Sequence, residues 1–174
     1  VYVTKKGFPI DIDSQYSGLF QDMIIKPGVK EFSKLVDKKV VPFTKTIVKQ
    51  STGRDYFVSG NTIAINPMAG RSALVHELGH AVEMNNPIVK AKAVAFLEAR
   101  TKGEKAIWLG KPYGPDEVIK KDKFMEAYMG KQYGGATEII SIGLQKMYED
   151  PYKFAKADPG YFDFIWKIAR GIFT

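Results

Sequence analysis

Cysteine is missing from the 174-residue chain, so disulfide scaffolds, Cys-ligated zinc and iron–sulfur clusters are excluded. Long apolar runs are missing too. No uninterrupted hydrophobic stretch approaches the roughly eighteen residues of a membrane span, which reads as a soluble chain with no membrane partner. Nor is there a dense basic block. Lys+Arg 26 exceed Asp+Glu 19, for a formal net charge of +7, but the cations occur as singles and as pairs such as Lys5-Lys6, Lys38-Lys39 and Lys120-Lys121, mixed with acidic residues. This is the pattern of a solvated, mildly basic surface rather than a nucleic-acid footprint; acidic substrates and packaged nucleic acid stay open as partners. What is present is core material. Hydrophobic residues at 45% and aromatics at 13% suit one packed domain and exclude general disorder and collagen-like repeats.

Along the chain, residues 1–28 are broken by Gly7, Pro9 and Pro27-Gly28 and read as a peripheral arm. Val29, Phe32, Leu35 and Val36 fall three and four apart, which predicts a short helix. Residues 40–66 read as a small antiparallel sheet, with Ser59-Gly60-Asn61 turning a hairpin whose second strand, 62–66, is a sheet edge able to take an extended substrate as an added strand. Leu74, Leu78, Ala81 and Val82 share one face of a predicted helix over 71–84, and Pro87 opens another. Residues 101–135 hold many of the remaining glycines and prolines and read as a wrap or lid. Residues 137–174 return to helix, where Tyr161, Phe164, Ile165, Ile168 and Ile172 form a stripe of core or interface packing. The expected class is α+β in one domain.

The chain has 2 histidines, and both lie in His76-Glu77-Leu78-Gly79-His80. Residues four apart on a helix project from one face, so two imidazoles there can grip one metal ion. Glu77 stands beside the first, where a base must be to take a proton from metal-activated water. A catalytic zinc site wants three protein ligands and one open position. With no other His and no Cys, the third ligand is expected to be a carboxylate. Glu83 lies on the same helix, which rarely supplies all three corners. Glu98, Glu104, Asp116, Glu117, Asp122 and Glu126 compete. Glu138 is preferred, because its flank in Ala136-Thr137-Glu138-Ile139-Ile140-Ser141 is apolar and an unpaired carboxylate there is costly. The plain alternative is a Glu facing its own helix dipole. Such a set implies hydrolysis of a peptide bond, with Glu77 passing the proton to the leaving amine and a donor steadying the oxyanion. Tyr133, Tyr128 and Tyr113 are candidates for that donor, Tyr133 being nearest to Glu138 in sequence.

Residues 71–83 resemble the active helix of the zincin metallopeptidases, and Glu138 on a later helix resembles the gluzincin branch, although its spacing from His80 is longer than that branch's commonest arrangement. The resemblance implies a zincin-like fold and a zinc-dependent endopeptidase acting on protein or peptide substrates. Zn2+ would be held by His76, His80 and Glu138, with Glu77 as general base. A second resemblance rests on Phe96-Leu97-Glu98-Ala99-Arg100-Thr101-Lys102-Gly103-Glu104-Lys105, Tyr128-Met129-Gly130-Lys131-Gln132-Tyr133, Thr137-Glu138-Ile139-Ile140-Ser141-Ile142-Gly143-Leu144 and Asp158-Pro159-Gly160-Tyr161-Phe162. These are similar to the carboxy-terminal part of tailed-phage minor head or head-morphogenesis proteins, which carry a metallopeptidase-like domain on a virion component. That likeness implies assembly with virion proteins, in the virion or the host cytoplasm, and offers an alternative: a non-catalytic structural or adaptor protein that keeps the fold. Starting at Val1 rather than Met, the sequence suits a piece of a longer or processed chain.

Overall fold

The computed structural model describes residues 1–41, 45–121, 124 and 126–174, and the backbone alone of residues 56–59, 127 and 133. Short β-branched runs build a five-stranded sheet from β1 (Tyr2–Val3), β2 (Pro9–Ile12), β3 (Thr46–Gln50), β4 (Tyr56–Ser59) and β5 (Thr62–Ile65), in the order β1-β2-β3-β5-β4. Ile10, Val48, Ile63 and Ile65 on its inner strands are fully buried. The outer pairs β1/β2 and β4/β5 are antiparallel, whereas β2/β3 and β3/β5 are parallel. The sheet is therefore mixed, not antiparallel as expected. A helical crossover returns β3 in the direction of β2, and β5 slots between β3 and its own hairpin partner. This also removes β5 from the edge: the edge strands are β1 and β4.

Residues 1–28 are not an arm. They supply β1, β2 and the first half of a continuous helical segment made of α1 (Gly18–Phe20), a π-turn (Gln21–Ile25) and α2 (Lys26–Leu35). Pro27 has no N–H to give to the carbonyl four residues back and its ring crowds that carbonyl, so the helix widens to π geometry there rather than stopping. The Met23 carbonyl left over accepts a hydrogen bond from Arg71 Nε at 2.9 Å. A predicted break thus becomes a tie to the next helix.

That helix, α3 (Arg71–Asn85), is followed by α4 (Pro87–Arg100), whose start is capped by the Asn86 side chain accepting from the Ile88 and Val89 amides. The stretch read as a wrap holds three strands of a second, antiparallel sheet: β6 (Ile107–Trp108), β7 (Val118–Ile119) and β8 (Lys131–Tyr133), completed by β9 (Ala136–Thr137). Then come α5 (Ile139–Glu149), α6 (Pro151–Ala157) and α7 (Pro159–Arg170). Of the expected stripe, Tyr161, Ile165 and Ile168 of α7 pack inward, with Tyr161 fully buried against Phe96, Phe124 and Phe154, whereas Phe164 is half-buried and Ile172 lies past the helix end, exposed. Asp158 caps α7 by accepting from the Tyr161 amide and holds Arg100 in a two-pronged ion pair, both N–O distances 3.1 Å.

The centre of the molecule is α3. Its apolar periodicity predicts one buried face, but Val75, Glu77, Gly79, His80 and Glu83 are buried as well as Leu74, Leu78, Ala81 and Val82. The five-stranded sheet covers one side and α5 the other. Among the described residues no helix is long and apolar enough to cross a membrane.

Candidate metal centre

His76 and His80 come to one side of α3, one turn apart, with ring centroids 4.8 Å from each other. Glu138 is brought to them from the start of α5. It occupies the N-cap position, yet its side chain makes no capping bond. Its Oε2 instead lies 3.3 Å from His76 Nε2 and 3.2 Å from His80 Nε2. The plain alternative, a carboxylate serving its own helix end, is not what the side chain does. A tetrahedral ion with bonds of about 2.0–2.2 Å spaces its ligand atoms about 3.3 Å apart, the separation found between Glu138 and each imidazole.

The surrounding hydrogen bonds bear on whether these residues fit a metal. Gln145 Nε2 donates to Glu149 at 2.8 Å, which turns the amide so that its Oε1 faces His76 Nδ1 at 2.9 Å. An amide oxygen only accepts, so Nδ1 carries the proton, and in the neutral ring the lone pair is on Nε2. A lone pair aimed at a buried carboxylate oxygen is repulsive, so a proton in the metal-free protein or a metal cation in the loaded one must lie between them. The donor set fits a divalent ion of zinc type. In the metal-free protein Glu138 is already ionised: against the upward push of burial, hydrogen bonds and charge from protonated His76 and His80 hold its carboxyl well below the usual carboxylate range. Ser141 Oγ donates to the same Oε2 at 2.9 Å.

Glu77 is 6% exposed, and its Oε2 is buried without a hydrogen-bond partner. Burial pushes its carboxyl up from the ordinary value, and His80 and His76 offset this only in part. A carboxylate short of partners and raised in basicity is what proton abstraction calls for.

Glu83, which the sequence places near the site but not in it, accepts from both the Thr137 amide at 2.9 Å and the Thr137 hydroxyl at 3.0 Å. It therefore clamps the residue next to Glu138 onto α3. Burial pushes Glu83 up to about 7 despite those bonds. In the metal-free protein the folded state then keeps a proton that the unfolded chain has lost between the ordinary carboxyl value and pH 7. Stability contributed below that window is lost as pH rises through it, by up to about 3 kcal/mol. Urea unfolding of the metal-free protein from pH 5 to pH 8 is expected to show this decline, and Glu83→Gln is expected to flatten it.

Of the other acidic candidates, Glu117 pairs with Lys131 at 2.9 Å, Glu126 pairs with Lys146 at 2.7 Å, and Glu98 and Asp116 are exposed. Asp122 lies outside the described residues, as does the side chain of Tyr133, the tyrosine preferred as oxyanion donor from sequence. Tyr128 is the tyrosine seen at the centre, its hydroxyl 3.4 Å from Glu138 Oε1. Gln145 and Ser141 were not singled out from sequence. Their signal is a polar stripe, Glu138, Ser141 and Gln145, spaced three and four apart across the apolar first half of the helix.

No protein-family model matches the chain, and no curated protein or solved structure matches it either.

Proposed function

We propose that the chain is a zinc-dependent metallopeptidase of the zincin type, close to the gluzincin arrangement. The observation that carries this reading is the convergence of His76 Nε2, His80 Nε2 and Glu138 Oε2, all within 4.8 Å of one another, beside the buried, partnerless oxygen of Glu77. A zinc ion bound there supplies Lewis acidity, polarising a water and a substrate carbonyl. The side chains do the rest. Glu77 takes a proton from the attacking water as its oxygen adds to the carbonyl carbon, then gives that proton to the amine as the C–N bond breaks. Gln145 and Ser141 keep the His76 ring and the Glu138 carboxylate from turning. Tyr128 is the donor placed to steady the developing oxyanion. The likeness of the second half to head-morphogenesis proteins supports a virion or host-cytoplasmic setting with protein partners.

The test is to strip the protein of metal, titrate zinc back, and follow cleavage of an unfolded protein. One zinc per chain with cleavage that a chelator stops and zinc restores is the expected result. Full zinc occupancy with no cleavage of any of several unfolded proteins favours the non-catalytic virion adaptor. Failure to take up zinc removes the metal centre and the peptidase with it.

A further inference from the structure

Lys131 on β8 is an ammonium group buried to 5% exposure at the edge of the centre. Its Nζ lies 2.9 Å from Glu117 Oε1 and 3.1 Å from the Tyr128 hydroxyl, and sits 4.9 Å and 5.0 Å over the rings of Tyr113 and Tyr128. Its own carbonyl accepts from the Glu138 amide at 3.3 Å, so the residue is tied to the proposed ligand through the backbone as well. Burying an ammonium is costly, and the Glu117 pair offsets that cost. The bond to Tyr128 is additional and has a direction.

An ammonium has only donors. In the Lys131–Tyr128 contact the phenol oxygen therefore accepts, and its single proton must point elsewhere. The partner on the other side is Glu138 Oε1, the oxygen not shared by the two imidazoles. At 3.4 Å that contact is long, so the proton is aimed at the site but weakly held. Tyr128 is 37% exposed, so an incoming group can reach it.

Resting on the metallopeptidase reading, we propose that Lys131 is a positioning residue. By donating to the Tyr128 oxygen it directs and polarises the Tyr128 O–H toward the oxyanion that forms at the metal centre. Lys131 then acts through Tyr128 and not by touching the substrate. A cross-link that merely fastened β8 to the turn before β7 would matter for stability and would be indifferent to whether residue 128 has a hydroxyl.

The experiment uses cobalt in place of zinc and inorganic phosphate, a tetrahedral anion, as probe, read by the visible absorption of the cobalt protein. It needs no turnover. Cobalt uptake is measured first for the parent, Lys131→Met, Tyr128→Phe and the double variant. Phosphate is expected to bind about tenfold more weakly to each single variant, as for loss of one charge-assisted hydrogen bond, and no more weakly to the double. In peptide hydrolysis the same variants should lower kcat with little change in KM. Wild-type phosphate affinity in Lys131→Met, a double variant as weak as the product of the two singles, or no phosphate response in the parent overturns the proposal while leaving the metal centre standing. No cobalt uptake by the parent overturns both. Should Lys131→Met fail to fold, Glu117→Gln loosens Lys131 from its other partner. A fall in phosphate affinity that vanishes in the Tyr128→Phe background then supports the proposal, and a fall that persists there overturns it.

Discussion

Glu77→Gln is expected to reduce peptide hydrolysis by about 10² to 10⁴-fold in kcat while the protein still takes up one zinc. The substitution keeps the shape and the buried position of the side chain and removes only its ability to hold a proton. Among the described residues, the other buried carboxyls near the centre are held by other groups. Glu138 faces both imidazoles, and Glu83 is anchored through its Oε1 to the Thr137 amide and hydroxyl, although its Oε2, like that of Glu77, has no hydrogen-bond partner. Folding stability should not fall, because the variant no longer has to bury an ionised oxygen that lacks a partner. The measurement is a set of single-turnover or steady-state rates on one unfolded protein substrate, with zinc content determined on the same samples. Cleavage at the parent rate in a zinc-loaded Glu77→Gln protein would leave the proposed chemistry without its base.

The His76, Glu77 and His80 cluster was legible because helical spacing is local: four residues make one turn whatever packs around them. Glu138 was legible for a different reason, as a charge in an apolar flank that needed a partner. The direction of strand pairing was not legible. β3 and β5 each carry an ordinary β-branched pattern, and nothing in that pattern says whether the neighbour runs parallel or which strand will be inserted between two others. The amino-terminal segment was misread because its strands are two and four residues long and because Pro27-Gly28 has the look of a stop. The Arg71 side chain that accepts the consequences of Pro27 lies far along the chain, beyond the reach of a local pattern. The contribution of Lys131 was hidden similarly. It reads as one more surface cation until β8, the turn before β7 and the start of α5 are folded around it.

Gly79→Ala is expected to cost both stability and metal binding, the second more than the first. Position 79 lies between the two histidines at the place where α3 meets α5. A Cβ added there would stand 2.7 Å from Ser141 Cα and 3.2 Å from Ser141 N, with the Ile140 carbonyl oxygen at 3.4 Å. These are backbone atoms, so no rotamer change relieves the clash and the helices must move apart. Alanine in place of glycine within a helix is by itself worth up to about 1 kcal/mol in favour of folding. Overpacking of a close helix contact costs about 1–3 kcal/mol, so the net change should be a modest loss. The metal centre is less forgiving. Ser141 bonds to Glu138 Oε2, and Glu138 heads the same helix, so displacing Ser141 draws the carboxylate away from imidazoles that now stand 3.2–3.3 Å from it. Ligand atoms must be placed to a few tenths of an ångström, and loss of that placement typically weakens binding by about 10 to 100-fold. Competition with a chelating dye should show that drop in zinc affinity, with urea unfolding of the metal-free protein run beside it. Gly18→Ala is the control, since a Cβ there meets nothing within 4 Å and should leave both quantities near their parent values. Unchanged zinc affinity in Gly79→Ala would mean that the α3–α5 contact does not hold Glu138 in place, and the geometric case for a three-ligand centre would lose its support.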